Sequence, residues 1–113
     1  SKQICDSLDK FSSMVLAQWG TRPIIYTHQR FYNYLLQRSF DDHILWIARY
    51  GAYKFKPTPS LEDERQCTIW QYSNRGIVEG IKGHVDLNTL FEGTEINDIM
   101  LKRRFKKSSA IAL

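Results

Sequence analysis

Apolar residues recur along this chain with two different periods, and the change from one to the other divides it into elements. Ile4, Leu8, Phe11, Val15 and Trp19 return at three- and four-residue spacing, which predicts an amphipathic helix over residues 1–20 with Gly20 as its C-cap. Thr21-Arg22-Pro23 then turns the chain into a short apolar strand, Pro23–Thr27, where proline at the start breaks no interior ladder. Phe31, Tyr32, Leu35 and Leu36 mark a short amphipathic helix within Gln29–Gln37, followed by the polar linker Ser39–His43. Period two takes over in Ile44–Ala48, placing Trp46, Ala48 and Tyr50 on one face and Leu45, Ile47 and Arg49 on the other. Gly51 ends that strand, and residues 52–66 read as a long loop with Pro57, Pro59 and the solvated acidic run Glu62-Asp63-Glu64. The β-branched and aromatic run Thr68–Tyr72 is a third, buried strand. Ser73-Asn74-Arg75-Gly76 reads as a turn cluster in which Gly76 can take positive φ, and Gly80 and Gly83 punctuate an excursion before a fourth strand, His84–Leu87.

Strand and connection alternate throughout, which favours a parallel sheet with crossovers. The strands end in Tyr26-Thr27, Tyr50-Gly51, Gln71-Tyr72-Ser73 and Asp86-Leu87-Asn88. In an α/β barrel the active site is assembled at that end of the sheet. Aromatic faces there suit the apolar side of a pyranose, with polar tips reaching its hydroxyls. Tyrosine also tolerates half burial at any strand end, so the pattern alone supports both readings. Asp86, set between Val85 and Leu87, is equally two-sided. It is either a structural acid held by backbone or arginine, or an active-site carboxylate at a barrel mouth. The adjacent pair Asp41-Asp42 sits in linker composition and carries little catalytic expectation.

Length and charge narrow the classes. The 113 residues, 42% apolar and 13% aromatic, suffice for one small core. The net charge of +4 is concentrated at one end. Residues 94–113 hold Lys102, Arg103, Arg104, Lys106 and Lys107 against Glu95 and Asp98, a net +3. The basic balance therefore describes a tail, not a nucleic-acid-binding domain. Ile96, Ile99, Met100 and Phe105 give that tail an apolar stripe, so residues 94–113 are expected to form a basic amphipathic extension. No apolar run approaches the roughly 18 residues of a membrane span, and no signal peptide is present. Cys5 and Cys67 lack metal spacing, and whether they pair or stay reduced is left open.

Three stretches carry a resemblance. Pro23-Ile24-Ile25-Tyr26-Thr27, then Leu45-Trp46-Ile47-Ala48-Arg49-Tyr50, then Trp70-Gln71-Tyr72-Ser73 leading to Val85-Asp86-Leu87-Asn88, resemble in order the glycoside hydrolase family 25 lysozymes, over about residues 1–93. The resemblance implies a muramidase that cleaves the β-1,4 bond between N-acetylmuramic acid and N-acetylglucosamine. A complete (β/α)8 barrel needs about 250 residues. Four strand candidates, and a start without Met inside a helix, therefore predict the C-terminal half of an irregular barrel of that type, with about four parallel strands, helices and long loops.

Two carboxyl groups are needed for glycoside hydrolysis. The resemblance implies an Asp-x-Glu pair upstream of Ser1, its Glu the general acid, and that motif is missing from the 113 residues. What carries over is Asp86, as a catalytic carboxylate giving electrostatic support or positioning the acetamido group. Tyr26, Tyr50, Gln71 and Tyr72 carry over as substrate-binding residues. No metal or organic cofactor is implied. The expected partners are peptidoglycan glycan strands and either the missing N-terminal half of the barrel or another copy of the chain. The implied location is extracellular or the cell envelope (periplasm). The alternative is a non-catalytic glycan-binding domain on a degenerate glycosidase barrel.

Overall fold

The computed structural model of the chain describes residues 2–51 and 58–101. Helix α1 spans Lys2–Trp19, and Gly20, at φ 75°, donates its N–H to Leu16 O at 2.9 Å, the left-handed cap expected of a glycine there. Strand β1 (Ile25–His28) leads into α2 (Gln29–Phe31), which continues as a π-helical turn over Tyr32–Leu36. Then come β2 (Leu45–Ala48), β3 (Ile69–Gly76) and β4 (Val85–Leu90), with a short 3-10 turn at Ile96–Asp98.

The four strands form one sheet in sequence order, β1-β2-β3-β4. The first two pairings are parallel, but β4 runs antiparallel to β3, so the sheet is mixed and the expectation of four parallel strands is corrected. The reason is connection length. A parallel return needs a crossover of roughly a dozen residues or more. Only the eight residues 77–84 separate β3 from β4, and Gly80 and Gly83, at φ 92° and 88°, turn them back. The turn expected at Ser73–Gly76 is instead the end of β3, with Gly76 opposite Val85. Gly76 serves there by its missing side chain, since a Cβ would collide with the Leu87 side chain.

Register divides the sheet into two faces. Pairing of Ile25 with Leu45 and of Thr27 with Ile47 puts these residues on one side, and Tyr26–Trp46 and His28–Ala48 on the other. Ile25, Leu45 and Ile47 join Tyr32, Leu36, Phe40, Leu61 and Cys67 in the core. Each such fully buried aliphatic side chain is worth roughly 1.5–3 kcal/mol, so the core holds β1 and β2 against the segment after α2.

Helix α1 departs from expectation. Leu8 and Cys5 pack on the core, but Ile4, Phe11 and Trp19 of its apolar stripe remain exposed, because nothing among the described residues covers that side. Its one fully buried residue is Ser12. The long loop is also more ordered chemically than a solvated charge run. Asp63 accepts the Tyr32 hydroxyl at 2.6 Å and the N–H groups of Arg38 and Arg65, while Arg65 donates to Phe40 O and His43 O. At the other end the expected helical stripe begins as the 3-10 turn, capped reciprocally by Glu95 and Asp98, with Ile96 and Met100 exposed. Phe105 and the basic cluster from Lys102 onward lie outside the described residues.

Candidate active site

The sheet face turned away from the core carries the polar and aromatic residues. Gln71 pairs with Ala48 in register and so falls on that face, where it is 3% exposed. Two phenols meet its carbonyl oxygen: Tyr26 donates to Oε1 at 2.5 Å and Tyr50 at 2.6 Å. Both phenols donate to the carbonyl oxygen, which leaves Nε2 on the side away from the tyrosines. Burial pushes the Tyr50 phenol above its ordinary value, and the Tyr26 phenol and the Asp86 carboxylate add to the shift. Tyr50 therefore stays a protonated donor at neutral pH.

Neighbours on the same face extend the patch. The Tyr26 and Trp46 rings meet edge to face at 5.1 Å, and Trp46 Nε1 donates to Asn88 Oδ1 at 2.8 Å. Asn88 is the register partner of Gln71. The register shifts leave the extra residues on β3, so alternation along β4 places Asp86 on the side of Asn88. Asp86 is exposed, and its charge acts on Tyr50. The antiparallel turn of β4 brings its first residues, not its last, to the rim formed by the C-terminal ends of β1, β2 and β3. Asp86 reaches the expected rim by the opposite strand direction.

Tyr26, Tyr50, Gln71 and Asp86 are thus brought together, and Tyr72 is not. Its ring meets that of Trp70 at 5.8 Å, and Trp70 packs against the core while donating Nε1 to Arg49 O. Trp46 and Asn88 are on the site face although the sequence reading gave them no role. The signal was available: Trp46 shares the period-two face of Ala48 and Tyr50. Among the described residues, no group of three or more His, Cys, Asp or Glu is placed to hold a metal ion.

A second constellation looks catalytic and is structural. Ser12 Oγ lies 2.5 Å from His43 Nε2, and Asp42 Oδ1 lies 2.9 Å from Nδ1, off the direction of a ring hydrogen bond. The order of types is that of a serine hydrolase triad. Ser12 is fully buried and its oxygen already accepts from Arg22 Nη1 at 3.0 Å, so no substrate carbonyl can reach it. The two cysteines are free. Cys5 donates to Leu35 O, and burial pushes the Cys67 thiol up to about 11.

Residues 1–81 match the glycosyl hydrolases family 25. The chain belongs to glycosyl hydrolase family 25. Within the family, it is 34% identical over 91 residues to the autolytic lysozyme of Clostridium acetobutylicum, covering 80% of this chain and 26% of that protein. It is 35% identical over 94 residues to the uncharacterized protein YegX of Escherichia coli K12, covering 83% and 32%. Among solved structures, a family 25 glycosyl hydrolase from Bacillus anthracis superposes with TM-score 0.62 at 33% identity, over 78% of this chain and 39% of that one. The bacterial lysozyme of Streptomyces coelicolor gives TM-score 0.61 at 26% identity, over 73% and 38%. The chain spans about a third or less of the length of these curated relatives. The family match ends at residue 81, so Asp86 is placed by the strand register and not by that match.

Proposed function

We propose that this family 25 chain forms the C-terminal part of a peptidoglycan hydrolase that cleaves the β-1,4 bond between N-acetylmuramic acid and N-acetylglucosamine. The observation that carries the reading is the convergence of the Tyr26 and Tyr50 hydroxyls on Gln71 Oε1 beside Asp86. Tyrosine rings and Trp46 offer apolar faces to a pyranose, while the phenol oxygens, the Gln71 amide and Asn88 meet its hydroxyls. Asp86 supplies negative charge at the rim, suited to an oxocarbenium-like transition state or to an acetamido N–H. No Asp-x-Glu triplet occurs in the 113 residues. The proton donor therefore belongs to another part of the domain, and the described chain by itself binds glycan without turning it over. The site of action is the cell wall. Among the described residues no helix is long and apolar enough to cross a membrane.

The test is Asp86→Asn in the complete hydrolase, with peptidoglycan turnover and thermal stability both measured. Turnover should fall roughly a hundredfold, the scale of losing one electrostatic stabiliser, with little change in stability because Asp86 is exposed. Unchanged turnover would remove Asp86 from the mechanism.

A further inference from the structure

Beside the tyrosine pair lies a cavity of about 790 Å³, bounded by Arg30, Asn33 and Tyr34 after β1, Arg49 and Tyr50 after β2, and Glu62 from the long loop. It is continuous with the glycan face through Tyr50, whose hydroxyl is held by Gln71 and whose ring meets that of His28 at 5.7 Å. Two arginines and one glutamate give the lining an excess of positive charge. Arg49 is the notable member: it is half-buried, and its Nε has no hydrogen-bond partner among the described residues. Planar, forked guanidinium groups match a carboxylate better than a hydroxyl. Glu62 supplies an acceptor on the same lining, and Tyr34, 80% exposed, supplies an apolar ring. The pocket is therefore dressed for a group that carries both a carboxylate and amide N–H donors, not for a neutral sugar.

We propose that this pocket binds a carboxylate on the lactyl-peptide arm of the muramyl unit, with Arg49 and Arg30 as its partners, while the sugar ring lies on the tyrosine face. The inference rests on the glycan reading of the neighbouring site. Two sources offer the same chemistry: the lactyl carboxyl of a peptide-free saccharide, and the free carboxylates of a stem peptide. The amide-accepting Glu62 favours the stem peptide.

Titration calorimetry on the full chain with three probes decides the matter. The probes are neutral chitotetraose, a peptide-free tetrasaccharide of alternating N-acetylglucosamine and N-acetylmuramic acid, and the same tetrasaccharide bearing stem peptides. The peptide-bearing probe should bind about tenfold more tightly than chitotetraose, the scale of one charge-assisted contact. Arg49→Gln should erase that gain. Arg30→Gln, at an exposed position, should reduce it without any risk to folding. A gain already complete with the peptide-free saccharide assigns the pocket to the lactyl carboxyl. Binding of all three probes with equal affinity, or a gain that survives both substitutions, overturns the pocket and leaves the glycan reading intact. If no saccharide binds, the glycan reading fails. The dipeptide L-alanyl-D-isoglutamate then tests the pocket alone, through the ¹⁵N–¹H resonance of Arg49 Nε. A saturable shift upholds the carboxylate site, and a fixed resonance overturns it.

Discussion

Tyr50 Oη and Gln71 Oε1 lie 2.6 Å apart, and the same oxygen takes the Tyr26 hydroxyl at 2.5 Å. One amide on β3 thereby fixes two aromatic side chains, one from within β1 and one from just beyond β2. The aromatic face of the sheet is set by that single oxygen.

Gln71→Leu should release both rings while leaving the backbone in place. The phenols border solvent and can turn to water, so stability should fall by only about 1 kcal/mol. Saccharide affinity should fall about tenfold, read by calorimetry with chitotetraose. Gln71→Glu keeps an acceptor and should retain more of the affinity than Gln71→Leu. Equal losses for the two variants would mean that the oxygen does not order the rings.

Ser12→Ala tests the buried Ser12–His43–Arg22 contact. Removing Oγ strands His43 Nε2, in a residue 4% exposed, and should cost about 1–3 kcal/mol by urea denaturation. Saccharide binding should not change. Because Ser12 is sealed, a fluorophosphonate probe should leave the wild-type chain unlabelled; stoichiometric labelling at Ser12 would contradict the structural role.

Asp63 gives the fold an acid limit. Burial alone would raise its carboxyl, but hydrogen bonds from the Tyr32 hydroxyl and the N–H groups of Arg38 and Arg65, with the Arg65 charge, hold it below the usual carboxylate range. A depressed pKa contributes stability that is fully present above the unfolded value of about 3.9 and is lost as pH falls through the folded one. Wild type should therefore lose more stability than Asp63→Asn between about pH 5 and about pH 3. On the alkaline side the sign reverses. Tyr32, pushed up to about 12 by burial and by Asp63, keeps its proton until the pH rises past that value. Parallel pH profiles for wild type and Asp63→Asn would show that the carboxylate holds nothing.

Helix α1 leaves Phe11 and Trp19 exposed, and an apolar groove of about 450 Å³ runs between it and β1, the first edge of the sheet. An open edge beside an apolar face favours association. The 113-residue chain at micromolar concentration should elute above monomer mass with light scattering detection. Phe11→Lys with Trp19→Lys should shift it towards monomer. A monodisperse wild-type monomer with a cooperative thermal transition would be the contrary result.

The sequence by itself determined which segments become helix and strand, because their signals are local. The 3.6-residue stripe of α1 with its glycine cap, the alternation of Leu45–Ala48 and the aromatic run of β3 each need only a few neighbours to be read. It also determined the family, through three short stretches in order, and it marked Tyr26, Tyr50, Gln71 and Asp86. Tertiary structure decided what those residues touch. Strand direction is one case: the sequence pattern leaves the eleven residues 73–83 between the third and fourth strands, and the eight-residue hairpin became visible only in the register of Gly76 opposite Val85. Tyr72 is another: its ring meets that of Trp70, on the side that packs against the core, and not its strand neighbour Gln71. Burial is the third. Ser12, one serine on a helix whose apolar stripe is largely uncovered, is its only fully buried residue because His43 and Arg22 arrive from distant positions to meet it. Period and propensity are properties of neighbours in the chain. Hydrogen-bond partners 31 or 45 residues apart, as for Ser12 with His43 and Tyr26 with Gln71, exist only once the fold has brought them together.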